Sequence, residues 1–153
     1  MTTYKQVKLQ KLTQSEVYQL RYSSEGKLVL PVSDAADDSQ ETRELTYTEK
    51  SKIRRAYYCL KIAEPEPGAE RLELVAHYLE AFDLLCELEE WEEAWEAVTV
   101  TLDTPTKEEL HNQLDTWGCY EEQVQLYERL LGKSGPAKNA ACLGSLGNAY
   151  HSL

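Results

Sequence analysis

From Thr46 to the last residue, apolar side chains recur every three or four positions, and nothing else in the sequence restricts the fold as much. A chain with that period builds helices and packs them face to face. Thr46 and Glu49 have capping-box spacing, and Ile53, Ala56, Tyr57, Leu60 and Ala63 then mark one helix face until Pro65, Pro67 and Gly68 end it. A second helix is predicted over residues 69–88, with Leu72, Val75, Ala76, Leu79, Phe82 and Cys86 on one stripe. A third covers residues 90–100, where Trp91, Ala94, Trp95 and Val98 share a side. Thr104, Pro105 and the Thr106/Glu109 pair predict the start of a fourth, which carries Leu110, Leu114 and Trp117 and stops at Gly118. A fifth follows over residues 120–131 with Val124, Tyr127, Leu130 and Leu131 apolar. Gly132, Ser134, Gly135 and Pro136 break it, and a sixth runs from residue 137 to the end. The connections 101–106 and 132–136 are short, so successive helices are expected to be antiparallel neighbours.

Before residue 33 the period is different. Val7 with Leu9, Val17 with Tyr18, Leu20 and Tyr22, and Leu28 with Leu30 alternate at roughly period two, and Ser23-Ser24-Glu25-Gly26 has the composition of a hairpin loop. These residues predict a two- or three-stranded antiparallel element that needs a helix or a partner to cover its apolar face. Residues 33–45, SDAADDSQETREL, are polar and acidic, with only Ala35, Ala36 and Leu45 apolar; they predict a mobile linker. The division is therefore a β element over 1–32, an acidic linker over 33–45 and a helical repeat domain over 46–153, its last repeat incomplete.

At 153 residues and 42% apolar content, with 7 Gly and 5 Pro, the chain has one domain's length and enough apolar surface for a core. That balance excludes collagen-like, low-complexity and wholly disordered classes. No apolar run approaches the roughly 20 residues of a membrane helix, and MTTYKQVKLQ puts polar and basic residues where a signal peptide is apolar. A cytoplasmic protein without a membrane partner is expected. Net charge is −11, yet residues 1–30 carry Lys5, Lys8, Lys11, Arg21 and Lys27 against Glu16 and Glu25, a net of +3, which leaves −14 for the remainder. So acidic a body repels a phosphate backbone, which argues against nucleic acid and for a basic partner surface. Cys59, Cys86, Cys119 and Cys142 show neither a CxxC pair nor zinc-finger spacing to a His; they read as small packing residues, with no disulfide and no metal.

The helical part repeats itself. Leu85-x-x-Leu88-x-x-Trp91-x-x-Ala94 overlays Leu114-x-x-Trp117-Gly118-x-Tyr120-x-x-Gln123 and then Tyr150-x-x-Leu153. The spacings Leu85 to Leu114 (29) and Leu114 to Tyr150 (36) bracket a helix-pair unit of about 34 residues. On Leu146-Gly147-Asn148-Ala149-Tyr150, Trp117-Gly118-Cys119-Tyr120-Glu121-Glu122, Tyr127-Glu128-Arg129-Leu130-Leu131 and Pro136, the chain resembles the tetratricopeptide repeat family over residues 72–153. In that pattern Gly147 admits a close helix, Tyr127 and Tyr150 fill space between helices, and Gly118 makes the turn. The sequence departs from it at Phe82, Glu89, His111 and Gln123, where small residues or Gly are usual, and in a helix that ends by Thr101. The wording of residues 117–133 and 146–153 is similar to tetratricopeptide proteins of bacterial, especially cyanobacterial, signalling arrays.

The resemblance implies a mainly α, antiparallel helix-pair solenoid whose first helices line a concave groove for an extended peptide. Its groove positions here are Asp83, then Glu108, Asn112 and Asp115, then Asn148 and His151, with the two asparagines placed to bond a ligand backbone. The basic clamp of the chaperone-binding subclass is missing, since Glu108 and Gly144 stand there. Leu143, Leu146, Tyr150 and Leu153 form an apolar stripe without a following helix, which suggests the N-terminal part of a longer repeat protein and homo-oligomers through the last helix. Neither His77, His111 nor His151 has a partner at catalytic or metal-binding spacing, and HExxH, GxSxG, GxxxxGK and GxGxxG are absent. No cofactor is expected. The residues thus predict a non-enzymatic scaffold that binds a protein or peptide. The alternatives are a regulatory N-terminal segment of a larger signalling enzyme or NTPase, and a self-assembly module.

Overall fold

The computed structural model describes residues 3–32 and 41–153. Its elements are β1 (Thr3–Gln6), a 3-10 turn (Leu9–Lys11), α1 (Gln14–Val17), β2 (Arg21–Ser23), β3 (Leu28–Val32), β4 (Thr42–Glu44), α2 (Tyr47–Lys61), α3 (Leu72–Glu87), α4 (Trp91–Val98), α5 (Leu110–Thr116), α6 (Tyr120–Leu130) and α7 (Pro136–Ser152). The protein is mainly α with a small antiparallel sheet at its N-terminal end. Among the described residues no helix is long and apolar enough to cross a membrane.

Helix α2 starts where the sequence predicts, with the Thr46 hydroxyl accepting the Glu49 N–H and the Glu49 carboxylate accepting the Thr46 N–H at 2.8 Å. A second capping box, Thr13 with Glu16, starts α1 inside the stretch read as strand. It shortens that strand to Arg21–Ser23, because two orphan donors satisfied locally outweigh a short period-two pattern. The hairpin turn is as predicted, with Gly26 at φ +76° and its N–H on the Ser23 carbonyl at 2.9 Å.

One expectation about the linker needs correcting. Thr42–Glu44 form a fourth strand, β4, paired with β2 in a sheet of order β1-β3-β2-β4, and Leu45 is buried. Residues 33–40 lie outside the described ones. Helices cover the apolar face of the β element, as its size requires: Leu9, Leu12, Val17, Leu20, Tyr22, Leu28 and Leu30 share one core with Ile53, Phe82, Leu85, Leu110 and Leu130. Polar ties run the same way, since Tyr57 donates its hydroxyl to the Leu12 carbonyl at 2.9 Å and Lys61 its ammonium to the Gln10 carbonyl at 2.6 Å.

The fourth predicted helix also starts later than expected. The hydroxyls of Thr104 and Thr106 donate to Gln113 Oε1 at 2.6 and 2.9 Å instead of capping, the Leu102 N–H bonds the Glu108 carbonyl, and Lys107 has φ +49°. Side-chain bonds to a folded loop replace the first helical turn, so α5 begins at Leu110. Ala76 points to solvent, not into the stripe, while Leu85 is fully buried.

The two interhelical turns of the sequence repeat have the same hydrogen bonds. After α5, Gly118 has φ +75° and the Cys119 N–H reaches back to the Leu114 carbonyl at 2.8 Å; after α3, Glu89 has φ +58° and the Glu90 N–H reaches the Leu85 carbonyl at 2.9 Å. One turn uses Gly and the other forces Glu into the left-handed region. Glu89→Gly should therefore raise stability by about 0.5–1 kcal/mol, the left-handed penalty less the entropy cost of Gly, whereas Gly118→Val should cost about 1–2 kcal/mol. Thermal melts check both, with Tm moving up for the first and down by several degrees for the second. A Cβ at Gly118 meets no atom within 4 Å, so the penalty there is one of backbone conformation alone.

Candidate partner-binding surface

Helices α5, α6 and α7 converge on one buried side chain. Tyr127 of α6 is 2% exposed; its hydroxyl lies 2.7 Å from His111 Nδ1 of α5, accepts from Gln123 Nε2 at 3.3 Å and is hydrogen-bonded to Ser145 of α7. His111 Nε2 faces Glu109 Oε1 at 2.8 Å, and Gln123 Nε2 also donates to the His111 carbonyl at 3.1 Å. Two of the departures from the repeat pattern, His111 and Gln123, are thus partners of each other and of Tyr127. Burial lifts the Tyr127 phenol above its ordinary range, so it stays protonated and available as a donor. The carboxylate–imidazole–phenol chain ties α5 to α6. Gln123 Oε1, buried, has no hydrogen-bond partner among the described residues.

The expected groove residues divide into two groups. Asn112 and Asp115 are exposed on α5; Asn148 and His151 are exposed on α7, with Asn148 one turn beyond Ser145. Glu108 precedes α5, where its carboxylate accepts the Thr116 hydroxyl at 2.8 Å and the Thr106 hydroxyl at 3.0 Å, so it braces a loop. Asp83, on α3, faces α6. It sits in a groove of about 360 Å³ between α3 and α6, paired with Arg129, whose guanidinium also lies 5.6 Å from the Phe82 ring centre. A salt bridge to the neighbouring helix decides its direction, which repeat register alone does not contain.

The apolar stripe on the last helix is also divided. Leu146 packs in a buried cluster with Val124, Tyr127 and Ala149, so it is covered within the chain, whereas Leu143, Tyr150 and Leu153 are exposed. Tyr150 donates its hydroxyl to Glu128 of α6 and does not fill an interhelical space. Gly147 meets no close neighbour: a Cβ there has nothing within 4 Å. The small residue on this helix that does pack closely is Ala149, 1% exposed.

A second polar centre lies where the β element meets α4. Glu93 is 4% exposed and accepts the N–H of Leu9 and that of Gln10. It caps the 3-10 turn from across the structure. Burial pushes its carboxyl up to about 7 against the pull of those N–H donors, and burial does the same to Glu90, also about 7. Lys8 bridges to Glu92 at 3.3 Å and to Glu96, while Lys133 and Lys138 lie 5.3 and 5.7 Å from the ring centres of Trp91 and Trp95. A cleft of about 320 Å³ runs between these groups, the Gly26–Lys27 hairpin and the α6–α7 turn. Helical spacing holds a trace of this: Glu93 is four residues before Ala97 and one before Ala94, on the buried face of α4. All four cysteines are free thiols. Comparison of the chain with protein-family models, curated proteins and solved structures finds no match.

Proposed function

We propose that this chain is a non-enzymatic interaction module of the tetratricopeptide type, which holds a basic protein segment or peptide against the polar faces of α5 and α7. What supports this is the Tyr127 network, which ties α5 and α7 to α6 while leaving Asn112, Asp115, Asn148 and His151 in solvent. Rigid helices that present hydrogen-bonding side chains bind at a smaller entropy cost than loops do. The charge agrees, since residues 62–153 contain five basic residues against nineteen acidic ones, and such a field steers cationic segments inward.

Asp115→Lys combined with Asn112→Ala tests the reading, because both side chains are exposed and neither is part of the network; Glu108 is avoided since it braces a loop. The unsubstituted protein should bind a Lys-rich extended peptide in preference to a Glu-rich one, less tightly as salt rises, and the double substitution should reverse the preference. Indifference to both salt and substitution would remove α5 and α7 from the binding surface. The exposed Leu143, Tyr150 and Leu153 favour a second reading, self-association along α7, and sedimentation of the same samples separates the two.

A further inference from the structure

The solvent face of α2 has the opposite character to the rest of the helical part. Tyr47, Lys50, Ser51, Arg54, Arg55, Tyr58, Lys61 and Ile62 are all exposed, at the three- and four-residue spacing of a single helix stripe with no acidic member. Helix α2 carries five basic residues against Glu49 alone, in a chain of net charge −11. Beside it, Tyr18 is 61% exposed with the Arg54 guanidinium 4.5 Å from its ring centre, and Arg55 lies 5.2 Å from that of Tyr58. Between them is a shallow cavity of about 60 Å³, with Val17, Tyr57 and Ile62 among its walls. Arg55 is paired with Glu80 and Lys52 with Glu87, whereas among the described residues neither Lys50 nor Arg54 has a carboxylate at ion-pair distance, so these two supply the free charge of the face.

We propose that this face of α2, with Tyr18, is a docking surface for an acidic segment of a partner protein that inserts an aliphatic side chain between Tyr18, Tyr58 and Ile62. Tyrosine and arginine around a small apolar pocket are the composition that concentrates binding energy at interfaces. Charge selects the acidic segment over other occupants. A two-fold dimer would set this basic face against itself, which like charges oppose. Nucleic acid needs free aromatic faces for its bases, but arginines already cover the Tyr18 and Tyr58 rings, and residues 62–153 repel phosphate. The surface is independent of the α5–α7 reading.

The test uses the full chain with a Glu-rich amphipathic peptide carrying leucines at helical spacing, and the same peptide with every Glu replaced by Lys. The Glu peptide should bind, more weakly as salt rises, and Arg54→Glu and Tyr58→Ala should each weaken it about tenfold or more while circular dichroism stays unchanged. Arg54→Gln provides a milder variant should the charge reversal disturb folding. Tyr58→Ala should leave binding of the Lys-rich extended peptide unaltered, which keeps the two surfaces distinguishable. Four results would overturn the proposal: no saturable binding of the Glu peptide up to about 1 mM; equal binding by all variants; tighter Arg54-dependent binding of a single-stranded oligonucleotide or of anionic vesicles; and dimers in sedimentation that Arg54→Glu dissociates, which would give the face to a second copy.

Discussion

Leu9→Ala is expected to destabilise the entire chain by about 3–5 kcal/mol in a single transition. Leu9 is 0% exposed and belongs to the core shared by the sheet, α2, α3 and α6, although it lies in a 3-10 turn near the N-terminus. Truncating it removes apolar contact and leaves a cavity that the turn cannot close, since its first N–H groups are held by Glu93. For a protein of this size the loss corresponds to a fall in Tm of roughly 10 °C. Amide exchange gives the decisive readout: protection in α3 and α6 should drop by the same free energy as protection in β3. A drop confined to residues before 33, with the helices untouched, would mean that the β element and the helices unfold separately.

The second large effect depends on pH. Glu93 has an ordinary value of 4.5 and a folded value of about 7, raised chiefly by burial. Between those values the folded chain keeps a proton that the unfolded chain has released, so stability is fully present below about pH 4.5 and is lost as pH rises to about 7. The loss attributable to Glu93 is about 3 kcal/mol, and Glu90 contributes with the same sign. Glu49 acts oppositely: the Arg43 guanidinium and the Thr46 N–H hold it down at about 2, so its contribution is present above its ordinary value and is lost in strong acid. Stability should therefore peak in mildly acidic solution. Glu93→Gln keeps an acceptor for the Leu9 N–H without the buried charge, so it should stabilise the protein by about 1–3 kcal/mol near pH 8 and change little near pH 4. Denaturant midpoints at a series of pH values decide the matter. Parallel pH curves for the two proteins would mean that Glu93 is already solvated in the folded state.

The features legible without tertiary structure are those whose physics is confined to a few neighbouring residues. The Thr46/Glu49 box starts α2, Gly118 ends α5 in the left-handed region, Pro136 lies at the start of α7, and the Ser23–Gly26 turn closes its hairpin. In each, the donors to be satisfied and the groups that satisfy them lie within one turn of chain. The Thr13/Glu16 box was equally present in the sequence but hidden inside an apolar alternation that favoured a strand. Charge separation between the N-terminal segment and the remainder was also visible, because it needs only counting.

Partner identity across the fold was decided elsewhere. Thr42–Glu44 look like linker until β2 offers them a ladder, and Glu93 looks solvated until the N–H groups of Leu9 and Gln10 are brought to it from the far side of the sequence. Asp83 turns to α6 because Arg129 is there, and Leu146 is covered because α6 supplies Val124 and Tyr127. The Arg54–Tyr18 contact likewise needs α1 to fold against α2. Helical period states that a side chain faces inward or outward, but the energy of a buried carboxylate or an exposed leucine depends on what stands opposite. That is settled by packing between elements distant in sequence, for which local spacing carries no record.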